Sequence, residues 1–320
     1  METIRIMRTF LSRMSSGMRR SIIYASRGLL AFVLLLFLFR YVDVREVLSA
    51  FGRANVMYLT IAVLLVAANI GVQILKWRYF VRQVNPESTN LESIASYLFG
   101  LSLGTITPGQ IGEFGGRILR HSSLKPGAIV GLTLLDKVQM ICILGIGGIT
   151  SLSFLYRMSV ATSLLLLLPS CAILLALFFR PRTLTSWTGN LKWKILKHPF
   201  VNDFNDAVGL FHKDQLIVSF ALSLLFYFII CLQMYCLLNA FADVSVPQAF
   251  LGFASMMFLK AVVPISLGDL GIREASSVYF YSLVGVSAPV SLGAALLLFV
   301  LNVLVPSLAG LIFIPRSPIK

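Results

Sequence analysis

The chain has 320 residues, 58% of them hydrophobic and only 12% charged, and its mean hydropathy is +0.87. That composition excludes a soluble globular domain and leaves a polytopic membrane protein. The net charge of +14 does not point to nucleic acid, because the basic residues fall in short loops between apolar spans, where they meet anionic lipid headgroups.

Residues 1–21 carry Arg5, Arg8, Arg13, Arg19 and Arg20 against the single acid Glu2, which suits either a surface-lying basic helix or a disordered cytoplasmic tail. The first span is expected at residues 22–39. Arg40 follows it directly without a small-residue cleavage site, so it reads as a retained anchor and not a signal peptide. A second span, 56–75, closes in Lys76-Trp77-Arg78-Tyr79, which reads as an interfacial belt with basic anchors. The apolar run 93–107 is too short to cross, since about 22 Å of helix does not bridge a hydrocarbon core of about 30 Å. Spans are expected again at 128–149, which contains Asp136-Lys137, and at 160–179. The polar segment 180–215 is expected to lie at the interface with an amphipathic piece. Residues 216–240 cross, 250–263 run into a second irregular stretch, 275–286 lead out of it, and 290–314 form the last span before a short tail, 315–320.

The two irregular stretches resemble each other. PGQIGEFGGR, from Pro108 to Arg117, returns 156 positions later as PISLGDLGIR, from Pro264 to Arg273. Pro108 corresponds to Pro264, Gly112 to Gly268, Glu113 to Asp269 and Arg117 to Arg273. Pro and Gly free backbone groups that hydrocarbon cannot satisfy, so such a segment at membrane depth must be buried in protein or line a polar cavity. In each copy an acid and an arginine stand four apart on one helix face. The helix that follows each break would also aim unpaired N–H groups and partial positive charge at the membrane centre, which suits a phosphate-bearing group. The bland alternative is that each acid only neutralises its own arginine. Lys260 and the Asp136-Lys137 pair are the other intramembrane charges, and Asp136 either lines the same cavity or pairs with Lys137 or Lys260. Asn69, Gln73, Gln139 and Asn302 are expected to hydrogen-bond between helices, and Tyr279, Phe280 and Tyr281 to pack or form a belt.

If both breaks are re-entrant hairpins, 19 of the 27 Lys and Arg fall in cytoplasmic segments and 4 in outer loops. This gives an all-α fold with six full transmembrane helices and two oppositely directed hairpins. It divides into a first repeat, 22–149, and an inverted second repeat, 150–314, with both termini cytoplasmic. Cys142, Cys171, Cys231 and Cys236 lie inside apolar runs and His121, His198 and His212 are scattered, so no disulfide framework, metal site or cofactor is expected.

PISLGDLGIREASSVYFYSLVGVSAP, together with the GxxTPGQIGEF pattern that begins at Gly104 and the KWR at Lys76 to Arg78, resembles the transmembrane-domain family of the lysylphosphatidylglycerol synthase/flippase proteins. The family's multifunctional members join a flippase region to a soluble transferase domain; no such domain follows here, so the resemblance implies only flippase-like translocation of a lipid with a polar or phosphate-bearing headgroup across the cytoplasmic membrane, and no enzymatic activity is expected. On this reading the substrate-binding residues are Glu113, Arg117, Asp269, Arg273, Asp136, Lys137, Lys260 and Glu274. The chain departs from the family pattern at Met140, where an acid often follows the acid-base pair by one turn, and at Asp269, where Gly is common. The expected partners are membrane lipids, phospholipid or polyprenyl-phosphate-linked, with a lipid- or glycan-synthesising enzyme and a second copy of the chain as further candidates. Two other classes compete: a membrane-embedded transferase using Glu113 or Asp136 as base, and a non-catalytic partner of a synthase.

Overall fold

The computed structural model describes residues 52, 54–107, 109–121, 123–179, 199–263 and 270–314. The expected first span, the segment 1–21, residues 180–198, the tail 315–320, and Pro108, Pro264, Gly268 and Asp269 lie outside that set. Regular structure among the described residues is all helical. In chain order it comprises α1 (Val56–Val84), α2 (Asn90–Thr105), α3 (Gly112–Arg120), α4 (Pro126–Leu155), α5 (Val160–Phe179), α6 (Pro199–Gly209), α7 (Lys213–Asn239), α8 (Val246–Val262), α9 (Ile272–Leu283), α10 (Ala288–Phe299) and α11 (Val305–Gly310). A π-helical turn, Val300–Leu304, joins α10 to α11, and a short 3-10 turn, Leu311–Phe313, follows.

The helix ends follow from local chemistry. Asn55 Oδ1 accepts the Met57 N–H at 3.0 Å, and Thr89 and Glu92 close a capping box at the start of α2. Pro126, Pro247 and Pro289 stand in the first turns of α4, α8 and α10, where a missing N–H costs nothing. Among the described residues, four helical runs are long and apolar enough to cross a membrane: α1, α4, α7 and the run from Ala288 to Phe313. Apolar side chains such as Val160, Leu165, Leu168 and Ile312 are exposed, which suits contact with lipid. The chain is a multi-pass membrane protein.

One expected boundary is wrong. α1 does not end at Leu75 but runs nine residues further to Val84, and Lys76 and Trp77 are buried in the protein instead of lying in an interfacial belt.

Both irregular stretches join helices that fold back on each other. α2 and α3 span about 24 and 14 Å at 1.5 Å per residue, each too short to cross alone. A Cβ on Gly116 would lie 2.6 Å from Gly100 Cα, and one on Gly112 would lie 2.2 Å from Leu103 O. As α3 advances its partners on α2 recede, so the pair is antiparallel. Gly109 and Gln110 reverse the chain with φ of +59° and +58°. In the second pair, the Tyr281 hydroxyl donates to Ala249 O at 3.0 Å and Gln248 Nε2 donates to Val284 O at 2.8 Å, which ties the end of α9 to the start of α8.

α4 is the central helix. Its Gly131 faces Phe204 of α6, Gly145 faces Ser170 of α5, Gly147 faces Tyr227 of α7 and Gly148 faces Phe258 of α8. One apolar core gathers Met234, Leu237, Phe253, Met256 and Tyr281. A second gathers Trp77, Phe80, Ile129, Leu132 and Leu216 and forms the floor of the first motif. The two halves of the chain interlock: α1 packs along α7, and α11 lies on α2, where the Ser102 hydroxyl donates to Ser307 O at 2.6 Å.

Candidate functional site

The first motif closes a buried five-charge cluster built by three helices and a turn. α3 supplies Glu113 and Arg117, whose four-residue spacing brings Arg117 Nη2 onto Glu113 Oε1. α4 supplies Asp136 and Lys137. Consecutive residues on a helix point about 100° apart, so these neighbours serve different partners. Asp136 turns to Lys76 of α1 at 2.6 Å and to Arg117 at 3.7 Å, while Lys137 turns to Glu113. Of the two expectations for Asp136, it joins the cluster of Glu113 and Arg117, with Lys76 and Arg117 as its partners and not its neighbour Lys137. Lys137 Nζ also donates to Gln110 Oε1 at 3.3 Å, from a turn residue held at positive φ.

Arg117 is the hub. It is 1% exposed, its guanidinium lies 4.0 Å from the Trp77 ring centroid and 5.8 Å from that of Tyr97, and Nη1 donates to Thr133 Oγ1 at 3.4 Å. Trp77 is held in place by its indole N–H, which donates to Ser96 Oγ at 2.8 Å. The cluster contains three bases, Lys76, Arg117 and Lys137, and two acids, Glu113 and Asp136, so one positive charge is left over. Its most accessible member is Lys137, whose side chain is 28% exposed against 2% for Lys76. Charges at this depth are costly unless paired, and a surplus cation is an attraction for an anion.

The backbone donors expected at the start of α3 are already spent. The Gly112 N–H donates to Thr107 Oγ1 at 2.7 Å, Glu113 N–H to Gln110 O at 3.0 Å and Phe114 N–H to Ile111 O at 3.2 Å. Any anion held here is held by side-chain cations and not by the helix N-terminus.

At the C-terminal end of α3, His121 stands at the cap and fastens the ends of the hairpin. Its Nε2 lies 3.2 Å from Ser88 Oγ and its Nδ1 3.1 Å from Ser123 Oγ, and the Ser88 hydroxyl reaches Glu92 Oε2 at 3.4 Å. Burial pushes the His121 ring below its usual range, against an opposing pull from Glu92.

With this geometry in hand, the family described as lysylphosphatidylglycerol synthase TM region matches residues 24–310, nearly the whole chain. The chain belongs to this family. Among curated proteins no match was found.

In this member of the lysylphosphatidylglycerol synthase TM region family, the described end of the second motif has an ion pair of its own. Arg273 pairs with Glu274, its sequence neighbour, and lies over the Phe299 ring with 4.7 Å to the centroid. Glu274 Oε2 accepts the Gly271 N–H at 2.7 Å, and Gly271 sits at φ +85°. Both side chains are buried. The expected Asp269 partner, with Pro264 and Gly268, falls outside the described residues. Lys260 lies half-buried in the last turn of α8. No described residue belongs to both charge clusters. Sequence reasoning missed Lys76, Trp77, Gln110 and Thr133. The signal for Lys76 was present: Asn69, Gln73 and Lys76 recur at spacings of four and three, a polar stripe on one face of an otherwise apolar helix.

Proposed function

We propose that the chain is a flippase-like translocator of lipids with a polar or phosphate-bearing headgroup, working in the cytoplasmic membrane. The observation that carries this reading is the surplus positive charge of the Lys76, Arg117, Lys137, Glu113 and Asp136 cluster, buried at a helix hairpin and most accessible at Lys137. A phosphodiester would neutralise that charge while its chains stay in the bilayer. The folded-back pairs α2/α3 and α8/α9 support an architecture of six full spans and two oppositely directed re-entrant hairpins, an inverted repeat with both termini cytoplasmic. On this reading the protein moves lipid made by a separate synthesising enzyme and performs no chemistry on it.

The test is reconstitution into vesicles holding a fluorescent anionic phospholipid, with a membrane-impermeant quencher added outside. Wild-type protein should carry quenching past the outer-leaflet half, and Arg117→Met should slow that phase by about tenfold, the cost of roughly one charge-assisted bond. Quenching that stops at half with wild-type protein would overturn the reading. If a cellular Arg117→Met variant loses total lipid product instead of its sidedness, the transferase class takes its place.

A further inference from the structure

The charge cluster of the first motif holds a donor that its own residues leave unused. Arg117 Nη2 meets Glu113 and Nη1 donates to Thr133 Oγ1, but Nε has no hydrogen-bond partner among the described residues. The side chain is 1% exposed, its guanidinium lies over the Trp77 ring, and a Cβ on Gly100 would lie 2.8 Å from its Cγ, so bulk water does not reach this donor. Arg120, three positions along α3, has a buried Nε without a partner among those residues as well. A buried N–H that meets no acceptor is costly, and one on a charged group more so. Two independent features therefore point to an anion at one place. The first is the unused donor of Arg117, and the second is the single positive charge left when Glu113 and Asp136 are set against Lys76, Arg117 and Lys137.

A water molecule would satisfy the donor and leave the charge. A phosphodiester would satisfy the charge, but it meets the cluster at Lys137, the most exposed member, and its two ester arms bar it from Nε while Trp77 and Gly100 enclose the guanidinium. A monatomic anion satisfies both, because it accepts from any direction and is not held back by ester arms. It also covers the state after release, when a departing headgroup would otherwise leave bare positive charge at membrane depth. We infer that Arg117 Nε and the surplus charge of the cluster form a binding site for a halide, chloride in the cell, which compensates the cluster whenever no headgroup is held. The site stands on this geometry alone, whereas the exchange of halide for headgroup rests on the function proposed above.

The Trp77 ring, stacked on the guanidinium, reports occupancy. With Trp187→Phe and Trp193→Phe in the full-length protein, Trp77 is the remaining indole. Bromide quenches indole emission on contact, and at 1% exposure Trp77 is closed to bromide colliding from the bulk. Sodium bromide is titrated into the detergent-solubilised protein against sodium gluconate at constant ionic strength. Quenching should saturate with a midpoint of about 10 mM, the worth of one charge-assisted hydrogen bond. Chloride should displace bromide and restore the emission, and sulfate should not. Lys137→Met removes the surplus charge and leaves Glu113 its Arg117, and Arg117→Lys keeps the charge and removes Nε. Each should weaken bromide binding about tenfold, with unfolding midpoints in gluconate showing that the variants are folded. Quenching that stays linear in bromide, or that folded variants leave unchanged, overturns the site and leaves the headgroup reading standing. Displacement by sulfate as strong as by chloride overturns the halide assignment in favour of an oxyanion. Dihexanoyl-phosphatidylmethanol, a bare phosphodiester lipid, should also displace bromide. If it fails where chloride succeeds, the halide site stands and the headgroup reading falls.

Discussion

Each acid of the buried cluster has two bases within reach, and this sharing decides what a single substitution does. Glu113 meets Arg117 and Lys137, and Asp136 meets Lys76 and Arg117. Arg117→Met leaves each acid its own lysine, so the loss of stability should stay near 1–2 kcal/mol, below the roughly 3–5 kcal/mol of a stranded buried charge. Lys76→Met leaves Asp136 only the 3.7 Å contact with Arg117 and should cost more. Adding Asp136→Asn to Lys76→Met should recover part of that loss, because the uncompensated charge is gone. Unfolding midpoints in detergent check the order, and an Arg117→Met protein less stable than Lys76→Met would contradict the shared pairing. His121 gives a pH test. Its ordinary value is 6.5 and burial lowers it in the fold, so the unfolded chain takes up the proton first. Stability should be full above about pH 6.5 and fall as the pH drops below it, and His121→Gln should flatten that fall. Equal acid sensitivity in both proteins would remove His121 as the cause.

At the scale of the element, the α2/α3 hairpin depends on backbones meeting where no side chain fits. A Cβ on Gly116 would lie 2.6 Å from Gly100 Cα and 2.7 Å from Phe99 O, backbone atoms that cannot swing aside, whereas a Cβ on Gly115 meets nothing within 4 Å. Gly116→Ala should therefore destabilise by about 1–3 kcal/mol, and Gly115→Ala should stabilise by about 0.5–1 kcal/mol through helix propensity. Two neighbouring glycines changed in the same way should move the unfolding midpoint in opposite directions, and equal shifts would contradict the packing described. The existence of this hairpin was legible in the sequence, because Pro108, Gly109 and Gly112 interrupt a run too short to cross. The end of α1 was not. Lys76-Trp77-Arg78-Tyr79 has the composition of a headgroup belt, and only Asp136, sixty positions away, and Arg117 over the indole mark Lys76 and Trp77 as interior. The spent N–H groups of α3 were equally hidden, since nothing in the order of residues says that Thr107 turns its hydroxyl back to Gly112. Glu113-Arg117 was readable from its spacing. Arg273 meets its neighbour Glu274, and the pairing expected with the spaced Asp269 lies outside the described residues.

For the whole molecule, the distribution of basic residues argues for one orientation, and moving Lys76 from the cytoplasmic face to the interior weakens that bias without reversing it. Packing supplies a second line of argument. α4 has 30 residues, about 45 Å of helix, with Lys125 before its first turn and Tyr156 after its last. The Tyr156 hydroxyl meets the Tyr279 hydroxyl at 2.8 Å, and Tyr279 lies in the last turns of α9, just ahead of the Val284–Ser287 turn into α10. Ser287 therefore belongs to the end of the molecule opposite Lys125. Both positions are exposed. In a background with Cys142, Cys171, Cys231 and Cys236 replaced by Ala, Ser287→Cys should react with a membrane-impermeant thiol reagent added outside intact cells. Lys125→Cys should react only after the membrane is opened. Loss of the Lys125 contact to Asp203 should not disturb this, because a solvent-exposed pair contributes little to stability. Labelling of both from the same side would remove the six-span arrangement, since α4 would then have to lie along the membrane or the second hairpin would have to cross it completely. Opposite labelling with Lys125 outside would keep the helical fold and invert the protein.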